Sequence, residues 1–241
     1  MRILVPVMIL FLASSCGNDG TEVNADDSAF MDSMIRARNH VSVADTQPAV
    51  QDTVFHTALP PVLEGDIIME NCDHPSAVLS GELMGGKYNH VGIIFQRPKD
   101  GLLCVLDITD SVHLTPLTDY VDRAKDGHVC VLRLKDANKT LNEDKVKALK
   151  ASAKAYKGVP SDPVLNWDDS HLYASELVWK VYNNAMRLTL CPTRTVADFK
   201  ISDAKQKEVA KAHGGVVSSK DEAVSTDDIY KSAKLEIIYE K

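Results

Sequence analysis

Two residues on either side of a predicted β-hairpin, His90 and Asp107, have the side chains that general-base chemistry needs. The apolar runs HVGIIFQR and LLCVLDI flank the turn sequence PKDG, which predicts the hairpin. With residues 98–101 as the turn, Asp107 lies diagonal to His90 on the same face, roughly 7–8 Å away at Cα. A carboxylate there accepts the imidazole N–H and orients the base. A histidine at a strand edge is more often structural, so the pair alone does not establish catalysis.

A second segment, SHLYASELVWKVY at residues 170–182, predicts a helix whose first turn suits a nucleophile. A cysteine at a helix N-terminus is activated because the helix dipole and a nearby imidazolium lower the pKa of its thiol. Ala174 occupies this position and has no such reactivity. Its backbone N–H still suits a developing oxyanion, because the start of a helix presents N–H groups without intrahelical partners.

The elements that must position these residues follow one another in mixed order. Strands are predicted at EGDIIME, at HVCVLRL and near the end of STDDIYKSAKLEIIYEK, besides the hairpin. Helices are predicted at residues 76–84, from Thr115 as cap with Pro116 in the first turn, from Asn142 as cap, and at residues 203–213. Because the strands cluster between two groups of helices, the sequence predicts an α+β fold.

The first sixteen residues have the layout of a secretory signal. A positive start precedes an apolar run from Ile3 to Leu12, and small residues then lead to Cys16. This arrangement resembles the lipobox of bacterial lipoproteins, although Ala13 stands where leucine is preferred. We therefore expect a signal peptide at 1–16, a tether with a short helix at 17–62 and one compact domain at 63–241. The alternative is a plain secreted protein with an incidental cysteine.

If Cys16 carries lipid, the protein is exported and anchored to the membrane of a bacterial cell envelope, facing the periplasm or the cell surface.

Composition excludes some partners and indicates no cofactor. The chain has 241 residues and a net charge of −7, and it lacks a basic cluster, which argues against nucleic-acid binding. It contains no HExxH motif, phosphate-binding glycine loop or dinucleotide fingerprint, so neither a metal nor an organic cofactor is expected. The cysteines beyond Cys16 form no CxxC pair or zinc pattern, and no disulfide is assignable from their spacing; they are Cys72, Cys104, Cys130 and Cys191.

Several segments together resemble the YiiX-like, circularly permuted papain-fold amidases, which are relatives of the NlpC-type cell-wall hydrolases. They are EGDIIM, KYNHVGII, VLDI, TPLTDYVDRAKDG, LNWDDSHLYASELVWKVY and STDDIYKSAKLEIIYE. The resemblance runs from about Glu64 to Tyr239. It implies a circularly permuted papain-like fold, with a small antiparallel sheet packed against helices. The tract around Tyr173 is the most specific part, and in the family it reads Tyr-Cys-Ser-Glu-Leu-Val-Trp.

The resemblance assigns roles residue by residue. His90 becomes the base and Asp107 its orienter, where the family more usually has glutamate, and Ala174 stands at the nucleophile position. Three explanations for Ala174 compete: an engineered replacement of cysteine, which we favour, a natural pseudoenzyme, or a different nucleophile. Ser175 is rotated by about 100° around the helix. Cys72 follows the first strand and is more simply a structural thiol.

The resemblance also implies a reaction class and further candidate residues. The family activity is hydrolysis of an amide or related acyl bond, on cell-wall peptides or on lipid acyl groups. The other hypothesis is a catalytically dead lipoprotein that binds wall fragments or lipids. Tyr88 is a candidate oxyanion donor and Tyr173 a possible substrate contact, although a strand-edge aromatic residue such as Tyr88 is as often structural.

Overall fold

A six-stranded antiparallel sheet forms the centre of the protein in a computed structural model that describes residues 59–241. Its strands lie in the order β4-β3-β2-β1-β5-β8, and a separate two-stranded ladder joins β6 to β7. The strands are β1 Ile67–Glu70, β2 His90–Gln96, β3 Leu103–Ile108, β4 Val112–Pro116, β5 Val129–Leu134, β6 Arg194–Thr195, β7 Glu222–Ala223 and β8 Leu235–Glu240.

Helices pack on both faces of this sheet, which confirms the predicted α+β class. They are α1 Pro75–Met84, α2 Leu117–Asp122, α3 Ala137–Thr140, α4 Glu143–Ala155, α5 Ala174–Met186, α6 Asp203–His213 and α7 Thr226–Tyr230, with short 3₁₀ turns at Lys125–Gly127 and Val196–Phe199. Within residues 59–241, none of these helices combines the length and the apolar content that crossing a bilayer requires.

Alternation along the strands sends successive side chains to two different cores. Ile67 and Ile93 face the larger core, where Leu177 and Val181 of α5 pack against the sheet. Ile68 and Ile94 face the smaller core, which is closed by Tyr120 of α2. Because both faces are covered, β1 and β2 are almost continuously apolar rather than alternating with polar residues. A polar side chain in β1 or β2 is therefore an exception to the apolar pattern of these strands.

The register predicted for the β2–β3 hairpin is confirmed. Ile93 pairs with Leu106, and the Arg97 amide donates to the Leu102 carbonyl at 2.6 Å, so the turn is at 98–101. Gly92 permits this close pairing, because a Cβ at that position would lie 2.3 Å from Cγ1 of Val105.

Two predicted helix starts have different outcomes. Asn142 caps α4 as expected, because its side chain accepts a hydrogen bond from the Lys145 amide at 3.0 Å. Thr115 is not a helix cap: it lies in β4, opposite Val105, and α2 begins only at Leu117. The prediction was wrong because strand pairing at the sheet edge overrides the local Thr-Pro signal. The expectations for the signal peptide, for Cys16 and for the short helix in the tether fall outside the described residues.

Candidate active site

The structure joins His90 to Asp107 by a short buried hydrogen bond. Nε2 of His90 lies 2.6 Å from Oδ1 of Asp107, and the two side chains are 1% and 0% exposed. His90 begins β2 and Asp107 lies near the end of β3, so the hairpin register alone sets their separation. The base-and-orienter geometry expected from the sequence is therefore present.

Charge around Asp107 fixes the tautomer of this histidine. Burial by itself raises the pKa of Asp107, but the hydrogen bond with His90 and the charges of His90 and Arg123 hold it well below its usual range. An ionised carboxylate only accepts hydrogen bonds, so Nε2 of His90 must carry the proton. Nδ1 is the ring nitrogen of His90 that does not contact Asp107.

Arg123 and Glu70 complete a buried charge network that the sequence reasoning missed. Arg123 contacts Oδ2 of Asp107 at 2.8 Å and Oε1 of Glu70 at 2.7 Å. Glu70 is fully buried and pairs across the ladder with His90. Burial raises the pKa of Glu70, while His90 and Arg123 oppose that rise. The sequence did contain one signal of this network, because Glu70 is an acidic residue at the end of the otherwise apolar strand β1.

The hydroxyl of Thr115 holds the remaining side of Asp107. It donates to Oδ2 at 2.8 Å, and Nε2 of His113 lies 3.1 Å from the same hydroxyl. Asp107 thus has three separate polar partners in His90, Arg123 and Thr115. Such saturation restricts the carboxylate to one orientation.

The helix predicted at residues 170–182 runs from Ala174 to Met186, so it begins at Ala174, four residues later than expected. Two hydrogen bonds to Val224 secure the residues on either side of Ala174. The Val224 amide donates to the Tyr173 hydroxyl at 3.2 Å, and the Ser175 hydroxyl donates to the Val224 carbonyl at 2.7 Å. The first turn is thereby fixed, and the methyl group of Ala174 is 7% exposed.

A small cavity brings the hairpin and the helix start together. His90 and Ala174 both line it, with Tyr173, Ile108 and Asp162 among its other walls. Its volume is about 10 Å³, roughly what one water molecule needs. One side of the cavity thus carries the buried His90–Asp107 pair, and the other side carries the first residue of a helix.

Comparison with known proteins agrees with this layout. Residues 62–239 match the family described as permuted papain-like amidase enzymes, YaeF/YiiX, C92 family. The chain belongs to this permuted papain-like amidase family. The uncharacterized protein YiiX of Escherichia coli K12 is 26% identical over 149 residues, which cover 61% of this chain and 71% of that protein.

A solved structure shows the same amidase fold. The crystal structure described as metalloprotein yiiX from Escherichia coli O157:H7 matches with a TM-score of 0.65 and 24% identity, covering 74% of this chain and 97% of that one. Among residues 59–241 of this chain, no group of three or more histidine, cysteine or acidic side chains has an arrangement that could hold a metal ion.

Among the other candidate residues of this amidase, Tyr173 lines the cavity, whereas the hydroxyls of Tyr88 and Ser175 are directed elsewhere. The Tyr88 hydroxyl donates to Glu240 at 2.9 Å, on the β8 side of the sheet, so the expectation that it reaches the cleft is not met. Ser175 is turned toward Val224, as its rotation around the helix predicted. Burial raises the pKa of Cys72 to about 11, which disfavours a reactive thiolate there.

Glu176, in the first turn of the amidase helix α5, gives a pH-dependent prediction. It is fully buried, and Lys180 lies 2.8 Å away. Burial raises its pKa from 4.5 to about 8, against the opposing effect of Lys180. The carboxyl group of Glu176 thus binds its proton more tightly in the folded state than in the unfolded chain. Protonation therefore stabilises the fold at low pH, and this stability is lost as the pH rises from about 5 to 8.

We expect Glu176→Gln to remove this pH dependence. Its melting temperature relative to the parent should be about 6–12 °C higher at pH 8 than at pH 5, the shift that about 3 kcal/mol produces in a domain of this size. Calorimetry at both pH values measures it, with the exposed Glu208→Gln as control. An equal shift at both pH values would show that Glu176 does not change its protonation state between pH 5 and pH 8.

Proposed function

We propose that this chain is the scaffold of a cysteine amidase or peptidase in which Ala174 stands in place of the nucleophilic cysteine, so that the sequence as it stands is inactive. The single observation that supports this most strongly is the shared cavity, which is lined by both His90 and Ala174. His90 is already oriented there by Asp107. An acyl-transfer site needs this arrangement, and a structural histidine does not.

With cysteine at position 174, the chemistry follows from the positions of the groups. Nδ1 of His90 takes the thiol proton, and the thiolate attacks the carbonyl carbon of an amide. The backbone N–H at position 174 donates to the resulting oxyanion. His90 then protonates the leaving amine, which leaves a thioester. Water, deprotonated by His90, attacks that thioester and releases the acid and the free thiol.

The intact surroundings of Ala174 favour an engineered replacement over a natural loss. The buried carboxylates of Glu70 and Asp107 remain paired with the partly exposed Arg123, and such a network often stabilises a fold less than apolar residues would. A binding protein that had lost hydrolysis would have little reason to retain this network. The alternative remains a natural pseudoenzyme that binds wall fragments or lipids, and the native codon at position 174 distinguishes the two.

The substrate and the location are part of the same proposal. The family supports an amide or related acyl bond. Peptide stems of the cell wall are our first candidate, because the sequence at Cys16 predicts a lipid anchor and export. Lipid acyl groups are the second candidate, with hydrolysis or acyl transfer as the reaction.

Ala174→Cys tests the proposed function. The restored protein should react with a thiol-directed acyl probe and hydrolyse a panel of wall peptides and acyl lipids, with turnover about 10³-fold or more above the parent. The parent gives a low background, because burial raises the pKa of all four described cysteines, to about 11 for Cys72 and about 12 for Cys130 and Cys191.

Ser175→Cys is the matched control, because it places a thiol one residue along the helix and directs it toward Val224. It should be labelled no faster than the parent. Equal labelling of both variants would indicate simple thiol exposure and contradict a dedicated nucleophile position. Probe labelling without turnover of any member of the panel would limit the proposal to acyl-enzyme formation.

A further inference from the structure

Glu70 is a buried carboxylate that the proposed reaction does not use. It ends β1 and is 0% exposed, and its Oε1 accepts a hydrogen bond from Nε of Arg123 at 2.7 Å. Its Oε2 is also buried and has no hydrogen-bond partner among the described residues. Burying a charged atom without a partner costs stability. Packing alone therefore does not explain why a carboxylate lies here.

His90 lies between this carboxylate and that of Asp107. Glu70 is directly opposite His90 in the β1–β2 ladder, where the Cβ atoms of paired residues are about 4.5–5.5 Å apart and project from the same face of the sheet. On the other side, Oδ1 of Asp107 lies 2.6 Å from Nε2 of His90. Two acidic side chains thus flank the imidazole, one from each neighbouring strand.

A single cation serves both carboxylates. Arg123 contacts Oε1 of Glu70 at 2.7 Å and Oδ2 of Asp107 at 2.8 Å. When both carboxylates are ionised, one negative charge remains while His90 is neutral, and a proton on His90 balances it. Without Glu70, the charges of Asp107 and Arg123 would cancel, and a protonated His90 would be a buried cation without compensation.

The other titratable groups that face this pair among the described residues are uncharged near neutral pH. The ring of Tyr120 on α2 has its centroid 6.0 Å from that of His90, Cys72 follows β1, and His74 precedes α1. Burial raises the pKa of Tyr120 well above 10 and that of Cys72 to about 11, and burial holds the pKa of His74 below 6.5. None of the three supplies the balancing charge.

The protonation states of Glu70 and His90 are linked. Burial raises the pKa of Glu70, and the positive charges of His90 and Arg123 oppose that rise. Glu70 is therefore ionised more readily when His90 carries a proton. Because such an interaction is reciprocal, ionised Glu70 favours the proton on His90 by the same free energy.

We propose that Glu70 is a positioning residue that stabilises the protonated form of His90, and with it the thiolate–imidazolium pair that acyl transfer needs. Glu70 does not line the cavity shared by His90 and Ala174, so it acts through His90 and not on the substrate. Its part in hydrolysis rests on the proposed function. Its effect on His90 needs no thiol and is measurable in the protein that carries Ala174.

The experiment follows the ring nitrogens of His90 by NMR over a range of pH, with the resonances assigned by their loss in His90→Gln. For Glu70→Gln, which keeps the shape of the side chain without its charge, we expect the midpoint of the His90 titration to fall by about one to two pH units. Glu70→Asp keeps the charge and should bring the midpoint back to within about 0.5 pH unit of the parent.

Three results of this titration would overturn the proposal. The first is an unchanged midpoint in Glu70→Gln, and the second is an equal fall in Glu70→Asp, which would indicate a structural role without a charge effect. The third is a ring that remains neutral in the parent down to about pH 5, well below the ordinary midpoint of histidine.

Asp66→Asn is the matched control. Asp66 is also a 0% exposed carboxylate paired with an arginine, since Arg133 lies 2.7 Å away, and it is four residues, about 13 Å, from Glu70 along the same strand direction. It should move the His90 midpoint by less than about 0.5 pH unit. Equal shifts in Asp66→Asn and Glu70→Gln would show a general effect of losing a buried carboxylate and contradict the proposal.

The Ala174→Cys background tests the part in hydrolysis. Adding Glu70→Gln should slow probe labelling of the thiol about tenfold or more at pH 6 and much less at pH 9, where the thiolate forms without the imidazolium. Equal labelling of the two proteins at pH 6 would contradict a part in hydrolysis. A thiol at position 174 that no variant labels would contradict the proposed function, whereas the titration of His90 would still decide the charge balance.

Discussion

In a protein that carries Ala174→Cys, replacing His90 with alanine is expected to abolish amide hydrolysis, with kcat/KM falling by about 10³-fold or more. The reason is that Nδ1 of His90 is the base available to the new thiol across the shared cavity. Asp107→Asn should lower kcat by a comparable factor, because an amide no longer fixes the tautomer with the proton on Nε2. Initial rates and probe labelling over a range of pH measure both effects.

His213→Ala is the control for these two variants, since this exposed histidine ends α6 far along the chain from the hairpin. It should leave kcat/KM unchanged. If labelling of the thiol introduced at position 174 proceeds equally well without His90, that thiol is activated by the helix start alone and the assigned pair is wrong. Circular dichroism of each variant separates lost chemistry from lost folding.

The second large effect concerns stability. Arg123→Met should lower the free energy of unfolding by about 3 kcal/mol, because it leaves the buried carboxylates of Glu70 and Asp107 without their shared cation. The melting temperature should fall by about 6–12 °C. Chemical denaturation and calorimetry at pH 7 measure both quantities.

The pH dependence of this effect has a definite sign. The pKa of Asp107 is lower in the folded state than its ordinary value of 3.8. Ionised Asp107 therefore stabilises the fold above about pH 3.8, and this stability is lost as the pH falls further. The difference in free energy of unfolding between the parent and Arg123→Met should therefore become smaller below about pH 4.

Arg97→Met is the control for this variant. It removes an exposed ion pair with Asp100 and should change the melting temperature little. A similarly small change for Arg123→Met would mean that water replaces the arginine.

Local sequence signals predicted the parts of the site that depend on short-range geometry. The four-residue turn set the register of β2 and β3, and that register placed His90 beside Asp107. The apolar pattern of residues 170–182 predicted a helix there, although α5 begins only at Ala174. The hairpin pair is therefore readable from spacing alone, and the family resemblance added the role of position 174.

Longer-range partners could not be predicted in the same way. Arg123 reaches Glu70 across 53 residues of sequence, and no local pattern links the end of β1 to the end of α2. Thr115 was misassigned because its neighbour Pro116 fits a helix start, whereas pairing with β3 decides its conformation. Tyr88 had two equally plausible roles in the sequence, and Glu240, 152 residues away, decides its direction.

The hydrogen bonds between Val224 and the residues flanking Ala174 have a consequence for the order in which the protein is made. Synthesis on a ribosome produces the hairpin early and the start of α5 later, but the contacts that fix that start come from a residue close to the end of the chain. The start of α5 therefore cannot acquire these two hydrogen bonds until Val224 has emerged from the ribosome.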